Sequence, residues 1–280
     1  MSVTGVPVRG GELAVELLPG TTEPVLAVHG ISSHRRLWDW LRAEAPELTL
    51  LAVDLRGRAD SVGVEGASSV EQHVEDLIAV LDAHGLDAVH VCGMSMGGFI
   101  AIELAHRHPA RVKSLVLVDG GFPFATPPGL TREALPVVFA DRLGRLEQSW
   151  ESVEELAAFF TAATGPLLDP HDPVLLGYLA HDLDGEGRVR LAGSVLLDDA
   201  ASIFFGDNHW QEVNVPIRFL AAEWSTGAGS APAYPAEALE RYAPATFRTV
   251  AVPGVDHATS IMSKAGATVT AELITEALSS

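Results

Sequence analysis

AVHVCGMSMGGFIAIELAHRH, residues 88–108, holds a strand pattern, a glycine-flanked serine and a helix pattern in direct succession. Its first part, AVHVCG (88–93), is an apolar run of strand length. Its last part, MGGFIAIELAHRH (96–108), has helical spacing and stops before Pro109. Between them stands Gly93-Met94-Ser95-Met96-Gly97, a G-x-S-x-G motif in a strand–turn–helix setting. A serine at so sharp a turn is expected at positive φ, where neighbouring side chains clash. Glycines two before and two after relieve the clash and lift the serine oxygen clear of the sheet. Gly98 allows close packing, and the N–H of Met96, at the helix N-terminus, would point to where an oxyanion forms. Cys92, one residue inside the strand, reads as a packing residue.

The same alternation repeats on both sides of this stretch. PVLAVHG (24–30), LTLLAVD (48–54) and VKSLVLVD (112–119) read as buried strands, and PIRFLAA (216–222) and FRTVAV (247–252) resume the series. Helical patterns fall at 34–44, 70–83, 235–243 and 262–278; the second has apolar residues at 70, 74, 77, 78 and 81. Strands alternating with helices predict an α/β fold with a mostly parallel, doubly wound sheet. From Gly120 to about His209 the alternation stops, and aromatics punctuate polar helical stretches. A structureless loop of that length is improbable in a compact domain. The expected organisation is therefore a core of 1–119 and 211–280, with 120–210 as an inserted, mainly helical cap.

Composition narrows the partners. The formal charge is −19, and no basic run interrupts it. Such a surface repels phosphates and anionic lipid, so nucleic acid and membranes are not expected partners. One cysteine excludes an intrachain disulfide. The first twenty residues have no basic region followed by an apolar one, and no run approaches a membrane span, so a cytoplasmic protein without a signal peptide is expected. The histidines and carboxylates show no metal-ligand spacing, and neither metal nor cofactor is expected.

After the strand PVLAV, His29-Gly30-Ile31 lets a backbone N–H turn toward the serine, and Ile31 is the candidate second oxyanion donor. The side chains of His29 and Ser32 read as loop braces. HGI (29–31), DLRGRADS (54–61) and GMSMGG (93–98), in this order and spacing, resemble the α/β-hydrolase superfamily over about 24–119 and 216–278. Ala59 stands where that family commonly has glycine, in a turn that is structural there. The interruption after residue 119 falls where the family places its cap or lid.

The resemblance implies a catalytic histidine in the loop after the last strand, where Val255-Asp256-His257 supplies His257. Asp256 would point away, and His73, His106 and His108 read as solvated or capping groups on helices. A serine–histidine pair needs a carboxylate to orient the imidazole. In most of the family it follows the strand that is PIRFLAA here, but the usual position falls on Trp224 or Ser225, with Glu223 nearest. Some branches, among them haloalkane dehalogenases and zearalenone lactonases, take the acid from the strand after the nucleophile helix. Here that strand ends in Asp119, 24 residues after Ser95. Asp119 is the favoured acid, Glu223 the alternative, and neither is the third option.

Serine rather than aspartate at the elbow implies acyl transfer, on a carboxylic ester or a lactone. The chain also resembles actinobacterial-type esterases and lactonases of that superfamily. Phe122, Phe124, Trp150 and Trp224 are candidate substrate-binding residues. The same fold could serve C–C bond or thioester hydrolysis, perhydrolysis or cofactor-free oxygenation, or act as a ligand-binding protein with little turnover. The expected partner is a small-molecule ester or lactone, with a homodimer left open.

Overall fold

The computed structural model describes residues 3–124, 129–162 and 165–280. Strands β1 Val3–Val8, β2 Gly11–Leu18, β3 Pro24–Val28, β4 Thr49–Val53, β5 Val89–Met94, β6 Val112–Val118, β7 Ile217–Trp224 and β8 Arg248–Asp256 form one sheet. Their order is β1-β2-β4-β3-β5-β6-β7-β8. From β4 to β8 every neighbouring pair is parallel.

The parallel strands read as continuous apolar runs because both faces are covered. Val25, Ala27, Leu50, Ala52, Cys92, Val116 and Leu220 point into one buried cluster. Leu26, Val28, Leu51, Val53, Val91, Leu115 and Phe219 point into the other. Helices α1 Asp39–Glu44 and α10 Lys264–Leu278 close the first face through Trp40, Leu41, Leu273 and Ile274. Helices α2 Val70–Ala83 and α3 Met96–Arg107 close the second through Val74, Leu77, Ile100 and Leu104. The helix expected at 34–44 divides: Arg35–Trp38 is a 3-10 turn, capped by His34, before α1 begins.

Two strands lie outside the sequence expectation. β1 and β2 form an antiparallel hairpin, and β2 lies antiparallel on β4. β1 contains Gly5 and Pro7 and buries only Val6, so it lacks the half-buried alternation that marks a strand. The legible signal is the two-residue turn Arg9-Gly10 between Val8 and Gly11, with Gly10 at φ 97°.

Between β6 and β7 come α4 Leu135–Val138, α5 Ala140–Leu146, α6 Val153–Ala162, α7 Pro173–Asp182 and α8 Gly193–Phe205. Among the described residues, extended pairing there is limited to isolated bridges. Leu135, Leu156, Tyr178 and Leu196 from these helices, and Phe139 between α4 and α5, join the apolar cluster that underlies α1 and α10. α9 Ala236–Tyr242 follows β7. No described helix is long and apolar enough to cross a membrane.

Candidate active site

Ser95 has φ 54° and ψ −120°, the positive-φ geometry expected of the turn between β5 and α3. The turn is crowded by backbone. A Cβ on Gly97 would overlap the carbonyl oxygen of Val28, and one on Gly93 would overlap that of Gly97. Glycine is therefore needed on both sides for close approach. The Ser95 N–H donates to Val118 O at 2.9 Å, pinning the turn to the end of β6. Its hydroxyl makes no capping bond to α3 and faces the loop after β8.

There, His257 Nε2 lies 2.9 Å from Ser95 Oγ, and its Nδ1 lies 2.6 Å from Asp119 Oδ2. These partners assign the tautomer: Nδ1–H donates to the carboxylate and Nε2 accepts the serine proton. Asp119 is buried, whereas the His257 ring keeps 32% of its surface exposed. The carboxylate is aimed by its backbone. Asp119 has φ 45°, its N–H donates to Leu220 O at 2.8 Å, and its Oδ1 accepts the Ala222 N–H at 3.0 Å. The carboxylate meeting the imidazole thus comes from the end of β6, and β7 contributes the N–H that orients it. Glu223 turns elsewhere: it is exposed, and its Oε2 accepts the Gly254 N–H at 2.6 Å.

Asp256 points away from the imidazole. Its carboxylate accepts from Thr259 N and Oγ1 and from Gly227 N, at 2.7–2.9 Å. The loop after β7, including Ser225, Thr226 and Gly227, therefore braces the turn that carries His257.

Opposite Ser95 lies the loop after β3. His29 is fully buried, and burial lowers its pKa to about 3, so the ring is neutral. Nε2 accepts the Leu55 N–H at 3.0 Å, which leaves Nδ1–H to donate to Gly30 O at 2.8 Å. Gly30 O and the Ile31 N–H belong to one peptide plane, so this bond sets the direction of the Ile31 N–H. Among the described residues no acceptor meets the N–H of Ile31 or of Met96. Two backbone donors thus remain for a ligand oxygen.

The candidate binding residues separate. Phe124 is half-buried, edge-on to Phe99 of α3 at 5.5 Å and to Phe204 of α8 at 5.3 Å. Phe122 is corrected: it is 0% exposed, stacked on Tyr242 at 4.5 Å and packed on Phe219, so it belongs to the core. Trp150 is likewise buried, 5.0 Å from Phe159, within the packing of the helical segment. Trp224 ends β7 opposite Asp256 and is half-buried. Among the described residues, ring contacts do not join either tryptophan to the Ser95 constellation.

His73 is also corrected. It is fully buried and meets Asp199 of α8 at 3.1 Å. His108 caps the C-terminus of α3, and His106 stacks on His209. One group not legible in the spacing is His34, Asp54 and His181, with ligand atoms within 4.8 Å of one another. Its chemistry does not suit a cation. His34 Nδ1 accepts the Arg36 N–H, which leaves the ring proton on the unpartnered Nε2, and the Arg35 guanidinium already occupies the Asp54 carboxylate.

The family model for the alpha/beta hydrolase family matches residues 25–271. Over 157 residues the chain is 32% identical to lipase LipV of Mycobacterium tuberculosis, and the match spans 56% of each protein. The fold superposes on E-2-(acetamidomethylene)succinate hydrolase with TM-score 0.77 at 22% identity, across the whole of both chains. It superposes on a thermophilic esterase from Thermogutta terrifontis with TM-score 0.71 at 20% identity, over 99% of each. The family match, the sheet order and the serine turn agree, and the chain belongs to the alpha/beta hydrolase family.

Proposed function

We propose that the protein is a serine hydrolase that cleaves a carboxylic ester or lactone through an acyl-enzyme. The observation that carries this reading is the hydrogen-bonded series Ser95 Oγ, His257 Nε2, His257 Nδ1 and Asp119 Oδ2, with links of 2.9 and 2.6 Å. The lipase and esterase names among its relatives are consistent with it.

In this mechanism His257 removes the Ser95 proton as Oγ attacks the carbonyl carbon. The N–H groups of Met96 and Ile31 hold the oxyanion of the tetrahedral intermediate. Asp119 stabilises the imidazolium without itself taking the proton. His257 returns the proton to the leaving alkoxide, and the acyl group remains on Ser95. Water, deprotonated by the same imidazole, then releases the carboxylic acid. For a lactone, alcohol and acid stay in one product. The helices between β6 and β7 act as a cap over the serine, with Phe124 on the wall of the acyl or alcohol site.

The test is hydrolysis of p-nitrophenyl acetate and of a lactone panel, with phosphonate labelling. Turnover abolished by Ser95→Ala, and labelling confined to Ser95, are expected. Turnover that survives Ser95→Ala would sink the mechanism, and activity confined to thioesters would sink the substrate class.

A further inference from the structure

The loop after β4 carries a second buried group that the elbow and the imidazole do not use. Arg58 is fully buried. Its Nε and Nη2 both donate to Ile31 O, at 3.1 and 2.8 Å, and its Nη1 donates to Arg56 O at 2.7 Å. Its charge is met by Asp199, 2.5 Å from Nη2 and also buried. Asp199 belongs to α8, in the helical segment. It also accepts from Ser68 Oγ at 2.6 Å and lies 3.1 Å from His73 Nε2. Burial alone would raise the Asp199 carboxyl, but His73 and Arg58 outweigh it and hold it well below the usual carboxylate range. The same loop pairs with the chain entering α8: Arg58 bridges Leu191, Ala59 N donates to Arg190 O, and Ala192 N donates to Gly57 O.

Ile31 is therefore held from both sides. His29 fixes the peptide that contains its N–H, and Arg58 fixes the peptide that contains its C=O. The first hold lies within the core. The second depends on a carboxylate that the helical segment supplies.

We infer that Arg58 is a positioning residue for the oxyanion-binding N–H of Ile31, and that Asp199 holds Arg58 in place, so that docking of α8 completes the oxyanion site. This rests on the serine hydrolase reading. A buried guanidinium suits this role because its planar fork puts two donors on one carbonyl oxygen while also meeting a carboxylate. Lysine in the same place keeps the charge near Asp199 but offers a single point of contact.

The experiment compares wild type, Arg58→Lys, Arg58→Met and Asp199→Asn on p-nitrophenyl acetate. Each is also titrated with a trifluoromethyl ketone, which forms a tetrahedral oxyanion on serine. Losing a direct oxyanion donor costs about 10²–10³ in kcat, so an indirect loss of about 10- to 100-fold is expected for Arg58→Met. Arg58→Lys should recover part of it, and Asp199→Asn should lose about 3- to 10-fold, on the same scale. KM should be nearly unchanged, and ketone affinity should fall in step with kcat. Val80→Ala, a cavity in the core under α2, serves as a destabilised control whose kcat should stay within about twofold. If Arg58→Met does not fold, Arg58→Lys and Asp199→Asn carry the comparison. Folded Arg58 and Asp199 variants with wild-type kcat and ketone affinity overturn the inference while leaving the hydrolase reading intact. A wild type that neither hydrolyses esters nor takes a phosphonate on Ser95 overturns both.

Discussion

The Asp119 carboxylate lies 2.6 Å from Nδ1 of His257 across 138 residues of chain. This carboxylate thus arrives from the end of β6, beside β5, and β7 holds it through the Leu220 carbonyl and the Ala222 N–H. Asp119→Asn keeps an acceptor for that N–H but loses the charge that stabilises imidazolium and selects the tautomer. It is expected to lower kcat by about three to four orders of magnitude with an unchanged far-ultraviolet circular dichroism spectrum. Glu223→Gln, whose side chain faces Gly254, should leave kcat within about twofold, as expected of a surface position. Steady-state kinetics of the two variants decide the matter: the reverse ranking would return the acid to β7.

Gly97 separates the turn requirement from the chemistry. A Cβ there would overlap Val28 O at the end of β3, so both the elbow and the strand beneath the Ile31 loop must shift. Gly97→Ala is expected to cost about 3 kcal/mol, at the upper end for overpacking, because backbone rather than a side chain must yield. Urea unfolding measures it. A midpoint unchanged from wild type would show that the approach of α3 to β3 is loose.

How far the sequence carries this reading depends on what each residue contacts. Ser95 is legible because its motif is local: the strand, glycines and helix that shape it are contiguous. The parallel strands are legible because burial on both faces leaves unbroken apolar runs. The β1–β2 hairpin leaves only its Arg9-Gly10 turn as a signal, because it buries little of β1. Asp119 stands out as a strand-end carboxylate, but its distance to His257 is a tertiary fact. Arg58 lies in the DLRGRADS turn, yet nothing in its spacing points to Ile31 O or to Asp199, which is 141 residues farther along the chain. Phe122 and Phe124 are alike in sequence and pack with the same apolar cluster, but Phe122 is fully buried in it and Phe124 lies half-buried at its margin.

That last difference is testable. Phe122 is fully buried against Phe219, Trp210 and Tyr242, so Phe122→Ala is expected to cost about 3–5 kcal/mol. Phe124 is half-buried, and its removal should cost less than half as much, roughly 1–2 kcal/mol. If Phe124 lines the substrate site, its alanine variant should raise KM for long-chain or aromatic esters several-fold more than for acetate. Thermal unfolding and a chain-length series on the two variants measure both effects. Equal KM changes across the series would remove Phe124 from the binding wall.

His29 makes stability depend on pH in a definite direction. Its folded pKa is lowered to about 3, chiefly by burial, whereas an unfolded histidine titrates near 6.5. Above pH 6.5 both states hold the neutral ring, so the group has no pH-dependent effect. As pH falls below 6.5 the unfolded chain binds a proton that the folded chain refuses. Stability is then lost at about 1.4 kcal/mol per pH unit until the folded pKa is reached. Between pH 6.5 and 5 this amounts to about 2 kcal/mol, in a window mostly above the carboxylates. His34, whose pKa burial and neighbouring His181 also lower, adds a loss of the same sign. His29→Gln keeps a donor for Gly30 O and an acceptor for the Leu55 N–H but does not titrate. Urea unfolding at pH 7 and pH 5 should therefore show the variant losing about 2 kcal/mol less than wild type over that interval. Equal losses would mean that the His29 ring gains a proton in the folded protein, and that the Gly30–Ile31 peptide is not held by a neutral imidazole.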